Sequence, residues 1–329
     1  MPLPTLLSRW TDARWRGPAR YPRGADEATA WLVLQQGPNP SSDYYVRPRV
    51  ADGRPVRWRH VEKDAPAPED LAPGTRVVIV RYLTSAWARA LAKAQAAGAL
   101  AGVVYFMDDD LLDPSAWRGL PDAYRRKLDR LCARMAGPIG RLASEYWVST
   151  AALQARHAGR GPRLVPPQML AEDAGQAPCP VRPGEPVQVF YHGTAAHLDE
   201  MRWLRPVIAR VLDACPQVHF EAIGDLEVHR LFRDLPRTRV LHPMGWPNYL
   251  AHGRQMRGHV GLAPLLPGAF NAGRSHTKAY DIARCGAVAL LADDPVYAGA
   301  PASHPRLPMD PDRWIDELVR RAAPPGPAR

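Results

Sequence analysis

The chain has 329 residues, of which 46% are hydrophobic and 23% charged, as in a globular protein with a packed core. At about 100–200 residues per domain, this length suits two domains. The formal net charge is +10, but no run of five or more basic residues occurs, so the composition argues against nucleic acid as a partner.

The first half of the chain alternates between apolar runs and segments with helical spacing. We predict strands at 31–35, 55–60, 77–80, 102–107 and 146–149, and helices at 87–97 and 121–135. Such alternation favours a parallel sheet with helices on its faces. Residues 166–186 interrupt the pattern with six prolines and two glycines. We place the domain boundary there, which gives an N-terminal domain 1–180 and a C-terminal domain 181–329.

The alternation restarts after this boundary. We predict strands at 187–191, 218–223, 239–242, 260–264 and 287–291, and helices at 198–214, 227–235, 249–256, 275–284 and 311–321. The chain is therefore expected to be an α/β protein with two Rossmann-like domains. Ligands of such sheets bind beyond the carboxyl ends of the strands, so the loops that follow Gly193, Gly224, Pro264 and Leu291 are the expected site.

The loop and helix after the strand at 260–264 carry the clearest chemistry. Ser275 is the expected N-cap of the helix, whose first turn offers free N–H groups to a phosphate. Arg274 and Lys278 would flank a bound diphosphate with two positive charges. Asp281, one turn further, is placed to accept hydrogen bonds from ribose hydroxyls. On spacing alone, a surface Lys–Asp pair beside a tight turn remains the alternative.

This segment resembles the donor-binding region of GT-B glycosyltransferases of the group 1, or family 4-like, class. The matching positions are Phe270, Asn271, Arg274, Ser275, Lys278, Asp281 and Gly286. Two positions depart from the family pattern: Asp281 replaces the usual Glu, and Gly273 stands where the family carries an earlier acid. The resemblance implies two Rossmann-like domains that face each other across a cleft, with a nucleotide sugar bound by the C-terminal one.

A second segment, residues 189–225, resembles the opening of the same C-terminal domain. Gly193 and Thr194 end its first strand, where a glycine lets the main chain approach a phosphate closely. His197 is a candidate donor to the diphosphate or the sugar, with a surface role as the alternative. Asp199 precedes the predicted helix and is also explained as a plain N-cap.

Three consecutive acids, Asp108, Asp109 and Asp110, follow the strand at 102–107. In a single-domain GT-A enzyme such a group would bind a divalent cation and the diphosphate. Because a complete second α/β unit follows, we favour an acceptor-side or structural role for the three acids over metal binding. No metal site is predicted, since the histidines at 242, 252 and 259 lack the spacing of metal ligands.

The resemblance implies a retaining, hexosyltransferase-type enzyme of bacterial glycan biosynthesis, which moves a sugar from a nucleoside-diphosphate sugar to a hydroxyl of a glycan, lipid or other acceptor. Arg274, Lys278 and His197 are the expected catalytic residues. Donor binding is expected from Gly193, Thr194, Asn271, Ser275 and Asp281. No cofactor is expected, and no divalent metal requirement. The alternatives are a non-catalytic GT-B-like protein that binds glycan or nucleotide, and a metal-dependent GT-A transferase.

The expected location is the cytoplasm, with contact at the inner face of the membrane left open. The four cysteines, at 132, 179, 215 and 285, lack the spacing of a metal site or a redox pair, which suits reduced thiols. The N-terminal segment has no apolar run of the length a signal peptide needs.

Overall fold

The structure is a computed structural model that describes residues 17–169, 177–193 and 197–323. The described residues form two compact units. The first unit takes the chain up to Gln168 together with Ala272–Ser275, and the second takes Met169–Asn271 and the chain from His276 onwards. Within the described ranges, each unit contains one sheet of six strands.

The first unit is built on a parallel sheet with strand order β2-β1-β3-β4-β5-β6. Its strands are β1 (Ala30–Gln35), β2 (Val56–His60), β3 (Thr75–Val80), β4 (Leu100–Met107), β5 (Glu145–Val148) and β6 (Arg163–Leu164). Its helices are α1 (Arg47–Val50), α2 (Ser85–Ala96), α3 (Asp122–Leu128), α4 (Ala136–Leu142) and α5 (Ala151–Arg156). All eight residues of β4 are buried, which fits a central strand covered on both faces.

The second unit repeats this plan with strand order β12-β11-β10-β7-β8-β9, again parallel throughout. Its strands are β7 (Val187–His192), β8 (Val218–Ile223), β9 (Thr238–Leu241), β10 (Val260–Ala263), β11 (Val288–Ala292) and β12 (Arg306–Leu307). Its helices are α6 (Leu198–Ala214), α7 (Leu226–Phe232), α8 (Trp246–Gln255), α9 (Thr277–Arg284) and α10 (Pro311–Ala322).

The two longest helices of the second unit among the described residues, α6 and α10, bury apolar faces in its core. Helix α6 buries the stripe Met201, Leu204, Val207, Ile208, Val211 and Leu212 at helical spacing. Helix α10 packs against it through an edge-to-face contact of Trp203 and Trp314, whose ring centroids are 5.3 Å apart.

The predicted elements agree closely with the observed ones in the second unit. The helix at 198–214 and the strand at 218–223 have the predicted bounds. The predicted helix at 121–135 is wrong in its second half, because α3 ends at Leu128 and a π-helical turn, Asp129–Ala133, follows. Strands β6 and β12 were not predicted, since two residues are too few to show a period of two.

The predicted N-cap at Ser275 is also wrong. Helix α9 begins at Thr277, and His276 occupies the cap position without a side-chain capping bond. The hydroxyl of Ser275 instead hydrogen-bonds the phenol of Tyr45, within the first unit.

Among the described residues, no helix combines the length and the apolar character that a membrane span requires.

Candidate functional site

Each sheet has one point where the direction of strand order reverses. In the second unit, β8 and β9 extend from one side of β7, whereas β10, β11 and β12 extend from the other. In the first unit, the reversal falls between β1 and β3. Ligands of open parallel sheets bind beyond the carboxyl ends of the strands at such a point. The chemistry is therefore expected in the loops after β7 and β10, and in those after β1 and β3.

Lys278 lies at the carboxyl end of β7. Its amino group donates to the main-chain carbonyl of His192 at 2.6 Å and lies 4.6 Å from the centroid of the Tyr191 ring. The side chain is therefore fixed at the last residues of β7 by a hydrogen bond and a cation–π contact. The structure thus puts a cation, from the first turn of α9, at the switch point of this sheet.

Helix α9 reaches this place because β10 contains a glycine at the helix contact. A Cβ on Gly261 would lie 2.4 Å from Cγ2 of Ile282 and 2.9 Å from Cζ of Phe190. Only a residue without a side chain lets α9 lie this close to β10. The close packing sets the position of the first turn of α9, the end at which a helix dipole is positive and favours an anion.

A buried carboxylate, Glu200, links the loop after β7 to the loop after β10. Its Oε1 accepts a hydrogen bond from Asn271 Nδ2 at 2.8 Å and one from the main-chain N–H of Leu266 at 3.4 Å. Its Oε2 lies 3.9 Å from Nδ1 of His197. His197, a predicted catalytic residue, and Asn271, a predicted donor-binding residue, thus both lie at this one acid, which fixes the shape of the loop after β10.

Asp281 lies one turn after Lys278 and is paired within its own helix. Arg284 Nη1 donates to its Oδ1 at 3.2 Å, and the side chain of Arg284 is buried. The guanidinium of Arg284 lies 5.6 Å from the ring centroid of Trp246. A fifth of the Asp281 side chain stays exposed, 21%, which leaves carboxylate surface for a further hydrogen bond.

Gly193 and Thr194, which follow β7, were both predicted to bind the donor. A Cβ on Gly193 would lie 3.0 Å from Tyr191 Cε1 and 3.2 Å from both His197 Cβ and Met201 Cε. Packing inside the unit is therefore a sufficient reason for this glycine. Thr194 lies outside the described residues.

In the first unit, Arg81 is the centre of the polar cluster at the switch point. Its Nη2 donates to Asp109 Oδ2 at 2.8 Å and to the hydroxyl of Tyr124 at 2.8 Å. Its Nη1 lies 3.4 Å from Asp108 Oδ1 and donates to Ser41 Oγ at 3.2 Å. The hydroxyl of Ser41 donates in turn to Asp108 Oδ2 at 2.6 Å. Residues that follow β1, β3 and β4 thus converge at one edge of the sheet.

The backbone of Arg81 has a conformation that arginine rarely adopts. Its φ is 67°, in the left-handed region that favours glycine. The conformation is held in place because its carbonyl accepts from the hydroxyl of Tyr105 at 2.9 Å, and its N–H donates to the carbonyl of Phe106 at 2.9 Å. Strain of this kind, fixed by the surrounding structure, occurs often at functional sites.

The pKa values of Asp109 and Arg81 in this cluster are both raised, for different reasons. Burial raises the pKa of Asp109, against the opposing effect of the Arg81 charge. Burial alone would lower the pKa of Arg81, but Asp108 holds it well above its usual value. The cluster therefore combines a permanent cation with a carboxyl group that has an increased affinity for a proton.

Asp110 has a separate environment. Its side chain is fully buried, with Arg156 Nη1 at 2.6 Å from Oδ2 and His157 Nε2 at 3.1 Å from Oδ1. Burial opposes ionisation, but the hydrogen bonds from His157 and Arg156 lower the pKa of Asp110 overall. This internal ion pair connects β4 to the end of α5, and it is a sufficient structural reason for the third acid of the run.

The short segment Ala272–Ser275 belongs to the first unit. The carbonyl of Gly273 accepts from Thr150 Oγ1 at 3.1 Å, and a Cβ on Gly273 would lie 3.1 Å from Cδ2 of Leu153. An acid at this position would press on Leu153, which accounts for the glycine where the family pattern has an acid. Within the same unit, the charge of Arg274 acts to lower the pKa of Asp109.

Sequence reasoning missed two residues of these sites. Arg81 directly follows the predicted strand at 77–80, so its place at a strand end was a usable signal. Glu200 lay beside the exposed Asp199, which pairs with Arg202 at 2.9 Å on the surface. Helical spacing was a usable signal here too, because Glu200 precedes Leu204 and Val207 by four and seven residues on the buried face, whereas Asp199 lies off that face.

No protein-family model matches the chain, and no curated protein matches its sequence. Among solved structures, the chain is similar to HepE of Anabaena in complex with UDP-glucose, with a TM-score of 0.52 and 15% identity over 88% of this chain and 89% of that one. It is also similar to the UDP-forming α,α-trehalose-phosphate synthase of Burkholderia xenovorans, with a TM-score of 0.51 and 10% identity over 90% and 91% of the two chains. These similarities confirm the predicted α/β fold with two parallel-sheet domains.

Proposed function

We propose that this chain, whose fold is that of the GT-B glycosyltransferases, transfers a sugar from a nucleoside-diphosphate sugar to a hydroxyl acceptor. The observation that supports this most is Lys278, whose amino group lies at the end of β7, at the switch point of the second sheet. Two solved structures to which this chain is similar agree with it, since one was solved with UDP-glucose and the other is named UDP-forming.

The donor site is proposed at the carboxyl edge of the second sheet. Lys278 and the first N–H groups of α9 bind the diphosphate. Asp281 accepts hydrogen bonds from the ribose, through the part of its carboxylate that Arg284 leaves exposed. Asn271, held by Glu200, contributes its amide side to the sugar or diphosphate.

His197 and Thr194 complete the proposed site from the loop after β7. His197 donates to the diphosphate or the sugar while Glu200 lies on its Nδ1 side. Gly193 keeps this loop close to the end of the strand. Arg274 and Ser275, the predicted second cation and hydroxyl for the diphosphate, belong to the first unit and are not part of the site proposed on the second sheet.

The proposed reaction breaks the bond between C1 of the sugar and the diphosphate oxygen, and forms a bond between C1 and the acceptor oxygen. Negative charge develops on the leaving diphosphate, where Lys278 and the helix N-terminus stabilise it. With retention of configuration, the proton of the acceptor hydroxyl moves to the departing phosphate oxygen. The reaction then needs no dedicated protein base and no divalent metal, because fixed cations provide the stabilisation that a metal otherwise supplies.

The acceptor is proposed to bind at the polar cluster of the first unit. Asp108 and Asp109 are ionisable groups placed to accept hydrogen bonds from hydroxyls, and Arg81 holds both of them. Asp110 is engaged by Arg156 and His157, so we assign it to the support of β4. The acceptor class is a glycan, a lipid or another hydroxyl compound of bacterial glycan synthesis, met in the cytoplasm or at the inner face of the membrane.

The two sheets rule out the alternative of a single-domain GT-A enzyme, for which Asp108–Asp110 would have been the metal site. The non-catalytic alternative draws support from Gly273, because the acid of the family pattern is missing there. The transferase requires both donor binding and turnover, whereas the non-catalytic alternative requires only that glycan or nucleotide binds.

The experiment that tests the proposal screens UDP-, GDP-, ADP- and dTDP-sugars by thermal shift, then measures nucleotide release from each stabilising donor. A donor at 100 times its Kd stabilises the fold by about 2.7 kcal/mol. Binding with nucleotide release that a chelator does not abolish would support transfer. Binding without release, over a broad set of acceptors, would favour the non-catalytic alternative, and no donor binding at all would contradict the proposed transfer.

A further inference from the structure

Three side chains of types that bind metal ions lie close together in the second unit. His192 ends β7, Glu221 lies on the neighbouring β8, and His252 lies near the end of α8. Nε2 of His192 is 3.0 Å from Oε1 of Glu221, and Nε2 of His252 is 2.8 Å from the same oxygen. Within residues 17–169, 177–193 and 197–323, this is the one group of three such residues whose ligand atoms all lie within 4.8 Å of one another.

The two oxygens of Glu221 have different partners. Oε2 is taken by the guanidinium of Arg239, whose Nε donates to it at 3.0 Å and whose Nη2 makes a second bond. Oε1 is left to the two imidazoles. The arginine therefore orients the carboxylate so that one oxygen faces both histidine nitrogens.

Two imidazoles and one carboxylate are a ligand set that proteins use for transition metals. Because Arg239 already pairs with Oε2, the buried carboxylate keeps a charged partner while Oε1 faces the two imidazoles.

The other nitrogen of His192 also has a partner. Its Nδ1 lies 3.4 Å from the hydroxyl of Tyr249. When a metal takes Nε2, the proton moves to Nδ1 and the imidazole stays neutral, so no proton has to leave the ring. Metal-binding histidines commonly use their second nitrogen in such a hydrogen bond, which fixes the ring orientation.

We propose that His192, Glu221 and His252 form a binding site for one divalent transition-metal ion of the Zn²⁺ class. Two imidazole nitrogens and one carboxylate oxygen suit Zn²⁺ or Co²⁺ better than Mg²⁺ or Ca²⁺, which prefer oxygen ligands. Zn–N distances of about 2.0–2.1 Å place tetrahedral ligands about 3.3 Å apart, so Oε1 must move by only a few tenths of an ångström from each imidazole.

The exposed side of the site belongs to His252. The side chains of Glu221 and His192 are 1% and 5% exposed, whereas that of His252 is 22% exposed. An ion therefore enters beside His252, and water supplies the remaining ligand there. The bound ion joins β7, β8 and α8, and His192 is the residue whose carbonyl holds Lys278. The ion supports the fold at this place and takes no part in the transfer step.

The test titrates metal-stripped full-length protein with Zn²⁺ by calorimetry and with Co²⁺ by visible absorption. The expected result is one site per chain, a tetrahedral Co²⁺ spectrum and no saturation by Mg²⁺. His252→Ala removes one ligand from the accessible side and should weaken Zn²⁺ at least about 30-fold. The matched control, His229→Ala, removes an exposed histidine of the same unit and should leave the affinity unchanged.

Two further variants separate a metal site from a simple hydrogen-bonded cluster. Arg239→Ala keeps all three ligands and frees Oε2, so Zn²⁺ binding should persist or tighten. Glu221→Gln, with its fold checked by circular dichroism, should lose the tetrahedral Co²⁺ spectrum. The proposal is overturned if wild-type protein shows no stoichiometric Zn²⁺ site, or if His252→Ala binds Zn²⁺ as tightly as wild type. Neither outcome depends on whether the protein transfers sugars.

Discussion

The cations at the carboxyl ends of the two sheets, Arg81 and Lys278, differ in the partners that they contact. In the first unit, Arg81 is bound by Asp108 and Asp109, so its charge holds the acids in place. In the second unit, Lys278 contacts a main-chain carbonyl and an aromatic ring at the first turn of a helix. The role of a cation at a strand end therefore depends on the groups that surround it. In the first unit these groups favour the recognition of hydroxyls, and in the second unit they favour the binding of an anion.

The largest effect is expected from Lys278→Ala. Loss of a fixed cation at the leaving diphosphate should lower the transfer rate by about 100- to 1,000-fold, while the protein stays folded. Initial rates of nucleotide release at saturating acceptor measure this. Arg202→Ala, which removes an exposed cation paired with Asp199 and Glu227, is the control and should stay near wild type. A transfer rate of Lys278→Ala within threefold of wild type would contradict the proposed anion-binding role of the second sheet.

Asp109→Asn should affect the acceptor side alone. We expect kcat/KM for the acceptor to fall about 10- to 100-fold with an unchanged donor affinity, because the neutral amide accepts the hydrogen bond of the acceptor hydroxyl less strongly than a carboxylate. The raised pKa of Asp109 adds a pH signature: activity should rise with pH as this group ionises, and the variant should lose that limb. Asp122→Asn, at an exposed pair with Arg125, is the control. If Asp109→Asn weakened donor binding instead, the proposed division into an acceptor side and a donor side would be contradicted.

Glu221→Gln tests how much this buried carboxylate, beside the end of β7, contributes to the free energy of unfolding. The folded-state pKa of Glu221 is lowered to about 2 from 4.5, so its stabilising effect is present above the unfolded pKa and is lost as pH falls toward the folded one. We expect the variant to lose about 3 kcal/mol of unfolding free energy at pH 6, and less at pH 3. Urea unfolding at both values measures this, with the exposed Glu227→Gln as control. An equal loss at both pH values would argue against the lowered pKa.

Gly261→Ala should have the smallest effect. The added Cβ meets Ile282 at 2.4 Å, so we expect about 1–2 kcal/mol of destabilisation by overpacking and a shift of α9 that weakens donor binding. Gly268→Ala is the matched control, because a Cβ there meets nothing within 4 Å and its φ is not positive. Equal stability of the two variants in thermal unfolding would show that α9 is not positioned by this contact.

The sequence predicted the second unit better than the first for a physical reason. Its strands and helices are long enough to show their periods, as the helix at 198–214 does. The first unit contains short elements such as α1, with four residues, and a helix that changes to a π-helical turn after Leu128. Short or irregular elements carry too few residues for a hydrophobic pattern.

The candidate site could be proposed from the sequence only as far as it lies on one continuous segment. Lys278 and Asn271 could be read from the loop and helix after β10. The group of His192, Glu221 and His252 could not, because its members come from three elements that only the folded sheet brings together. The strained backbone of Arg81 likewise depends on Tyr105 and Phe106, so it has no signature in the sequence around it.

The central claim is that Lys278 binds the donor diphosphate while Asp109 does not contact the donor. Calorimetric titration of UDP into wild type, Lys278→Ala and Asp109→Asn tests it directly. We predict that wild type and Asp109→Asn bind UDP with the same Kd, and that Lys278→Ala binds at least about 10-fold more weakly, as expected for the loss of a charge-assisted hydrogen bond. Equal Kd values for wild type and Lys278→Ala, or loss of binding in Asp109→Asn, would contradict it.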